Sequence, residues 1–203
     1  GEKGTLVFFI CNHCPFVHHV IDEIILVAND YRVQGIGMVA ISSNDVEHYP
    51  QDSPALMTEF AFENKFEFPY LYDETQEVAK AFGAACTPDF FLFDNQDKLV
   101  YRGQLDDSRP GNGIPLSGSD LRGAIDSVLY NRTVNPNQKP SLKPVNLDLR
   151  KAKSSFLLIL MSLWRTSKNT CDGLSVGYTH LTLVCSWRQA VARIIQKDHQ
   201  KCE

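Results

Sequence analysis

The chain has 203 residues and a hydrophobic fraction of 43%, enough for one domain with a substantial core, alone or followed by a tail. Residues 1–140 carry 10 basic and 20 acidic side chains, and this acidic balance argues against nucleic acid as a partner. Residues 141–203 carry 10 basic and 4 acidic side chains without a tight basic cluster, which indicates a solvated basic tail. The six cysteines are too few for a dense disulfide framework, and no apolar run reaches the roughly 18 to 20 residues that span a membrane.

The predicted secondary elements alternate between strand and helix, and a hairpin precedes the last helix. In chain order they are strand 6–10, a helix with Pro15 in its first turn that runs to about residue 31 or 34, strand 35–43, helix 54–64, strand 68–72, a helix that ends at Gly83, strands 89–94 and 99–103, and a last helix capped by Ser119. At the third helix, Asp73 is expected as the N-cap and Gln76 at the capping-box position. This order predicts the α/β class, with a central sheet of mixed direction flanked by helices.

Two stretches fall outside this alternation. Residues 104–117 form a polar loop rich in Gly and Pro, and loops of this length are often functional, but Asp106, Asp107 and Arg109 are interpreted as pairing within it. The Pro- and Asn-rich stretch near residue 140 is typical of a linker. We therefore predict a domain over residues 1–133, and a linker with a poorly defined basic tail over residues 134–203.

Cys11 and Cys14, separated by two residues and followed by Pro15, lie where the first strand meets the first helix. The first turn of a helix has unpaired N–H groups and the positive end of the dipole, which stabilise a thiolate, the nucleophilic form of cysteine. A zinc site would need two more ligands at a second regular spacing. The distant cysteines are irregularly spaced, at Cys171, Cys185 and Cys202. The pair is therefore predicted to be a redox dithiol without metal or cofactor, with metal binding and inert thiols as the alternatives.

Three features together resemble the thioredoxin superfamily: the CNHCP motif after a buried strand, the α/β order, and Thr87-Pro88 before a Phe-rich hairpin. More narrowly, the chain is similar to the bacterial thioredoxin-like group of the redoxin class, whose members are often labelled as antioxidant proteins. The similarity spans about residues 5–130, in the stretches FICNHCPFVHHV, GIGMVAISSNDV, FPYLYDETQEVAKAFGAACTPDFFLFD and LVYRGQLDDSRPGNGIP. It implies a thioredoxin-like fold.

The chain departs from this group at both ends. Members usually have some tens of residues before the first strand, including a β-hairpin, whereas this chain begins at Gly1 and almost at once enters the strand. No signal peptide is visible, which favours the cytoplasm, but further residues are expected upstream and a targeting segment among them stays open. The tail from about Leu142 resembles nothing in the group.

The resemblance also implies roles for the CxxC residues. Cys11 attacks a disulfide, and Cys14 resolves the mixed disulfide that forms on Cys11. Cys11 is expected at the exposed start of the helix and Cys14, one turn in, is expected to be better shielded. His13 stands directly before Cys14, as in the oxidising members of the superfamily, and is expected to stabilise the Cys11 thiolate, which makes the disulfide a better oxidant. The alternative is that His13 is an exposed helix residue with no role.

Pro88 is expected to be the family's cis-proline, facing the CxxC motif. It would leave the Thr87 backbone free to pair with an extended substrate and keep metal away from the dithiol; an ordinary trans turn proline is the alternative. Cys86 is interpreted as a small buried residue, with a third redox thiol as the alternative.

Thioredoxins often have a buried carboxylate near the dithiol, and the position six residues before Cys11 is Thr5 here. His18 and His19 are the nearby substitutes that the sequence suggests, although a histidine on a helix surface is more common.

The predicted function is that of a thiol–disulfide oxidoreductase acting on protein or low-molecular-weight thiols, with an unidentified reductant. A thiol peroxidase is the second enzyme hypothesis, but Gly4 and Phe8 occupy the positions where peroxiredoxins have Pro and Thr before the peroxidatic cysteine. Two hypotheses without enzymatic activity stay open as well. One is a module that binds metal through Cys11, Cys14 and Cys86 or a nearby histidine, and the second is an inactive fragment.

Overall fold

Five strands form one mixed sheet in the computed structural model, which describes residues 1–141 of the chain. They are β1 Gly4–Phe9, β2 Ile36–Ser42, β3 Tyr70–Tyr72, β4 Asp89–Asp94 and β5 Leu99–Gly103. Their order across the sheet is β3-β2-β1-β4-β5. The strand β2 runs parallel to β1 and β3, whereas β4 runs antiparallel to β1 and β5. The predicted α/β class with a sheet of mixed direction is confirmed.

Within residues 1–141 there are four α-helices and one short 3-10 helix; all but the last α-helix connect strands, and that helix follows β5. They are α1 Pro15–Arg32, α2 Pro54–Glu63, α3 Glu77–Phe82 and α4 Ser119–Leu129, and the 3-10 helix Pro50–Asp52 comes just before α2. All four predicted helices are present, with ends close to those expected. Within residues 1–141, no helix combines the length and the apolar character needed to cross a membrane.

The side chains of β1, the central strand, point alternately to the two faces of the sheet. They are largely buried on both faces, so both faces of the sheet are covered. Leu6 and Phe8 belong to the core cluster that α1 and α4 complete. Phe9 points to the opposite face and meets Phe82 of α3, with 5.5 Å between the ring centroids. The chain therefore leaves β1 from a well-packed position, and Cys11 follows directly.

The predicted capping box at α3 is wrong. The N-cap is Gln76, whose backbone is left-handed with a φ of 58°, and its side chain donates a hydrogen bond to the carbonyl of Ser43 at 2.9 Å. Asp73 still caps this helix end, because its carboxylate accepts hydrogen bonds from the backbone N–H groups of Val78 and Ala79 at 3.3 and 3.0 Å.

The loop 104–117 is folded around the buried carboxylate of Asp106, which accepts hydrogen bonds from three backbone N–H groups at 2.7–2.8 Å. One of these donors is Gly118, which is the N-cap of α4 in place of the predicted Ser119. Gly118 has a φ of 64°, a left-handed conformation that glycine adopts without strain. Arg109 donates to the carbonyl of Asp106 at 2.7 Å, as expected for pairing within the loop, whereas the Asp107 carboxylate forms its ion pair with Lys139, outside the loop.

Residues 138–141 run beside β5. The Gln138 amide accepts from the backbone N–H of Arg102 at 2.9 Å and donates to the carbonyl of Val100 at 2.8 Å. The described start of the predicted linker is thus hydrogen-bonded to the sheet, and the domain boundary at residue 133 stays a prediction. The rest of the predicted tail, with its three cysteines, lies outside the described residues.

Candidate active site

The CxxC motif spans the junction between β1 and α1. Ile10 is still held by the sheet, since its N–H donates to the carbonyl of Ile41 at 2.9 Å. Cys14 has an extended backbone and is the N-cap of α1, and its carbonyl accepts from the N–H of His18 at 3.0 Å. Pro15 follows as the first helical residue, where its missing N–H has no consequence.

The burial of the two sulfurs is the reverse of the expected one. Cys11 is only 1% exposed, whereas Cys14 is half-buried. The reason is that α1 begins after Cys14, so Cys14 is the N-cap of the helix. Cys11 lies two residues after the end of β1, where the chain is still buried. The prediction that Cys11 lies at the exposed helix start is therefore wrong.

The two thiols influence each other, and their pKa values move in opposite directions. The hydrogen bond from Cys11 lowers the pKa of Cys14 to about 5, and the backbone N–H groups of Val17 and Phe16 act in the same direction. The same hydrogen bond and burial raise the pKa of Cys11 far above its ordinary value, and the Asp52 carboxylate adds to this. At neutral pH the reduced pair thus holds one shared proton and one thiolate.

Thr87, which precedes Pro88 and β4, contacts the sulfurs of both cysteines. Its hydroxyl lies 3.3 Å from the sulfur of Cys11, and its carbonyl oxygen lies 3.4 Å from the sulfur of Cys14, where it accepts a hydrogen bond when that thiol is protonated. The Thr87–Pro88 peptide bond is cis, so the alternative of a trans turn proline does not apply.

Cys86 lies beside this site without contacting the dithiol through a hydrogen bond. Its sulfur donates to the carbonyl of Pro88 at 3.6 Å. Burial, together with the nearby Asp89 carboxylate, raises the pKa of Cys86 to about 12, so the thiol is protonated at neutral pH. Cys86 and Thr87 form part of the wall of a cleft of about 400 Å³. These properties favour the interpretation of Cys86 as a small, largely buried residue.

A buried carboxylate that the sequence did not reveal lies next to the CxxC motif. Asp52 is 0% exposed, and its Oδ1 accepts hydrogen bonds from the backbone N–H groups of Asn12 at 2.8 Å and His13 at 3.2 Å. Its Oδ2 accepts from the Asn44 side chain at 2.8 Å and lies 2.6 Å from Nδ1 of His13. The His13 ring also stacks on the ring of Tyr49, with 4.7 Å between the centroids. His13 precedes the helix and is firmly held, so it is not an exposed helix residue.

Asn12 attaches the CxxC motif to two further elements. Its side chain donates to the carbonyl of Gln51 at 2.8 Å and accepts from the Tyr70 hydroxyl at 3.0 Å. Asn12 and Asp52 form no recognisable motif, because they are 40 positions apart in the chain and only the packing of the segment before α2 brings them together. The only signal in the sequence for these contacts was that Asn12, between the two cysteines, is polar.

The histidines considered as substitutes for the missing carboxylate have contacts elsewhere. The ring of His18 meets that of Phe60 edge to face at 5.8 Å. Nε2 of His19 lies 2.8 Å from the hydroxyl oxygen of Ser108, which ties α1 to the loop 104–117. Thr5 lies within β1, and the carboxylate near the dithiol is that of Asp52.

Donor atoms of three residues lie close enough together to be considered for a metal. The sulfur of Cys11, a ring nitrogen of His13 and a carboxylate oxygen of Asp52 lie within 4.8 Å of one another. The carboxylate already accepts three hydrogen bonds and is paired with Nδ1 of His13, however, and a metal–ligand bond would have to displace at least one of these contacts. Cys86, expected in the metal-binding hypothesis, is not part of this group.

Comparison with known proteins places the chain in a family. The sequence model of the Redoxin family matches residues 1–117. A crystal structure of an uncharacterized conserved protein from Geobacillus kaustophilus is 56% identical, covers 71% of this chain and 80% of its own, and superposes with a TM-score of 0.67. A hypothetical protein from Sinorhizobium meliloti is 47% identical, with 70% and 77% coverage and a TM-score of 0.68.

A more distant similarity concerns the fold alone. The solution structure of a thioredoxin-like protein in the oxidized form is 22% identical, covers 65% of this chain and 81% of its own, and has a TM-score of 0.52. No curated protein matches the chain. The fold and the sequence similarity agree with the resemblance stated above: the chain belongs to the redoxin family and has the thioredoxin-like fold.

Proposed function

We propose that this protein is a thiol–disulfide oxidoreductase whose redox centre is the Cys11–Cys14 pair. The observation that carries the proposal is the pair itself: two free cysteines at the start of a helix, whose sulfurs both contact Thr87 and one of which is half-buried with a lowered pKa. Membership of the redoxin family supports a redox function of the thioredoxin kind.

The reaction transfers two electrons from the dithiol to a substrate disulfide. A thiolate of the pair attacks one substrate sulfur, which forms a mixed disulfide and releases the partner sulfur of the substrate as a thiolate. The second cysteine then loses its proton and attacks the mixed disulfide. The products are the Cys11–Cys14 disulfide and the reduced substrate; one substrate sulfur takes up the proton that the pair held, and the other takes a proton from solvent.

We propose Cys11 as the attacking residue and Cys14 as the resolving one, following the family order. Against this order stands the burial of Cys11, which is 1% exposed and holds the shared proton in the reduced state. Attack by Cys11 therefore requires that the proton passes to Cys14 and that the substrate reaches the sulfur beside Thr87.

The substrates we propose are disulfides of proteins or of low-molecular-weight thiols. The half-buried Cys14 supports this choice because an approaching disulfide can reach its sulfur from solvent. The peroxidase hypothesis has no such support, since Gly4 and Phe8 do not supply the residues that position a peroxide in peroxiredoxins.

The test is a reduction assay with insulin, followed by trapping with single-cysteine variants. The wild type should reduce insulin, and both Cys11→Ser and Cys14→Ser should abolish turnover. Mixed disulfides should accumulate on Cys11 in the Cys14→Ser variant. Accumulation only in Cys11→Ser would reverse the order of attack, and full turnover by either variant would refute the proposed function.

A further inference from the structure

We propose that Arg102 and Asp89 are positioning residues: together they fix both ends of the loop that holds Thr87 against the dithiol. This loop, residues 83–89, is named the Thr87 loop. The inference rests on the proposed function and extends it to two charged side chains outside the CxxC motif. It is carried by the contacts that these side chains make with the first and the last residue of the loop.

Asp89 is the last residue of the Thr87 loop and the first residue of β4. In the sheet it lies opposite Phe9, two residues before Cys11, so this end of the loop is level with the start of the CxxC motif. Its side chain is only 4% exposed. The carboxylate accepts hydrogen bonds from the N–H of Ala85, within the loop, at 3.4 Å and from the Ser141 hydroxyl at 3.0 Å. It therefore fixes the loop from the β4 end.

Arg102 contacts both ends of the Thr87 loop. It lies on β5 opposite Phe91, and its guanidinium lies over that ring, 4.8 Å from the centroid. From there it donates a hydrogen bond to the carbonyl of Gly83, the C-cap of α3. The same nitrogen, Nη2, lies 3.5 Å from the Asp89 carboxylate. One planar cation thus joins the residue that begins the loop to the residue that ends it.

The burial of this ion pair argues for a role beyond packing. The Arg102 side chain is 8% exposed, and its Nε has no hydrogen-bond partner within residues 1–141. A buried donor without a partner lowers stability, and apolar side chains of similar volume often replace buried ion pairs without loss. What Arg102 and Asp89 supply, and an apolar pair would not, is the set of directed contacts to the loop.

The Thr87 hydroxyl connects the loop to the chemistry of the dithiol. It lies 3.3 Å from the Cys11 sulfur. The pKa of Cys14 is lowered first by the hydrogen bond with Cys11 and next by the Thr87 hydroxyl, because a hydroxyl donor stabilises a thiolate. A loop released at its ends would carry the hydroxyl away from the sulfurs. We therefore expect the pKa of Cys14 to report the position of Thr87.

The experiment measures the rate of iodoacetamide labelling of the reduced full chain against pH, with the labelled residue identified by mass spectrometry. The double variant Arg102→Met with Asp89→Leu removes the directed contacts of both side chains and leaves no unpaired buried charge. We expect its Cys14 inflection to move upward by about one pH unit, which lowers the ionised fraction about tenfold at more acidic pH.

Two comparisons separate positioning from a general loss of structure. In a Thr87→Val background, which lacks the hydroxyl, the same double substitution should change the ionised fraction less than about twofold. The matched control is Arg122→Met with Glu23→Leu, which removes an ion pair of 2.7 Å between α4 and α1. This control should also change the ionised fraction less than about twofold, because it leaves the Thr87 loop intact.

The outcomes of the two assays can be told apart. An unchanged or lowered inflection in the double variant, an equal shift in the Thr87→Val background, or the same shift in the control overturns the positioning role. A wild type that does not reduce insulin overturns the proposed function, and the inflection still decides whether Arg102 and Asp89 position Thr87. A wild type that reduces insulin, with an unshifted double variant, overturns this inference alone.

A second variant covers the case that the double variant does not fold. Arg102→Lys keeps a cation beside Asp89, but its shorter side chain ends in a single nitrogen and lacks the planar fork that lies over Phe91 and reaches the Gly83 carbonyl. We expect its Cys14 inflection to move upward, with an ionised fraction lowered about threefold at more acidic pH. An unchanged inflection in this variant would overturn the positioning role.

Discussion

The lowered pKa of Cys14 has a measurable consequence for alkylation at acidic pH. With a pKa of about 5, this sulfur is mostly ionised at pH 5.5, whereas an ordinary cysteine thiol with a pKa near 9 is about 0.03% ionised. The ionised fraction thus favours Cys14 by roughly 2,000-fold. A thiolate of lower pKa is also a weaker nucleophile, and a Brønsted coefficient of about 0.45 over about four pH units reduces its intrinsic rate roughly 60-fold.

The net expectation is that Cys14 reacts about 40-fold faster than an unperturbed thiol at pH 5.5, with a much smaller advantage at pH 7. The assay is the rate of iodoacetamide labelling of the reduced protein between pH 4 and 9, with the labelled residue identified by peptide mass spectrometry. The rate should rise through an inflection near pH 5, because deprotonation creates the reactive thiolate above its pKa.

The matched control is Cys11→Ala, which removes the hydrogen bond that contributes most to the low pKa of Cys14. In this variant the inflection should move to higher pH. The reasoning is refuted if the wild type shows its only inflection above pH 8, or if the label at pH 5.5 is found on Cys11.

Three further predictions concern Cys86, the loop and the core. Cys86 should remain unlabelled at pH 7 during the time that labels the dithiol, because its pKa is about 12; equal labelling rates would contradict this. Asp106→Ala should lower the free energy of unfolding by about 2–4 kcal/mol, since several buried N–H groups lose their acceptor, and urea denaturation measures the loss. Its control is Asp107→Ala, which removes only a half-exposed ion pair with Lys139 and a contact with Gln104 and should cost no more than about 1 kcal/mol. Phe8→Ala should cost about 3–5 kcal/mol because the side chain is 0% exposed, whereas Phe62→Ala, at 84% exposure, should leave the melting temperature unchanged, and similar losses in both would refute the core assignment.

Much of the fold follows from local patterns in the sequence. The apolar run of β1 and the helical spacing of Val17, Ile21 and Ile24 on α1 reflect burial against the same core, so the elements could be recognised without tertiary information. The caps were less predictable. Gln76 and Gly118 are N-caps with a left-handed backbone, and each donates a hydrogen bond to a residue that is distant in the chain. Capping rules based on neighbouring side chains do not detect such N-caps.

The candidate site was predictable only where its residues are close in sequence. The CxxC spacing and the strand–helix junction indicated a dithiol, because both sulfurs lie on one short turn. The relative burial of the two sulfurs was not predictable, since it depends on where α1 begins and on the approach of Thr87, which is 76 positions from Cys11.

The sequence by itself therefore determined the α/β class, which depends on periodicity, and the position of the Cys11–Cys14 pair, which is a contiguous motif; the redoxin family followed from similarity to known sequences. Only the tertiary structure decided the environment of the pair. Asp52 meets His13 because the segment before α2 packs over the end of the sheet, and the hydrogen bonds of a buried carboxylate then hold it there. Contacts of this kind depend on packing between distant segments, and no local pattern in the chain encodes them.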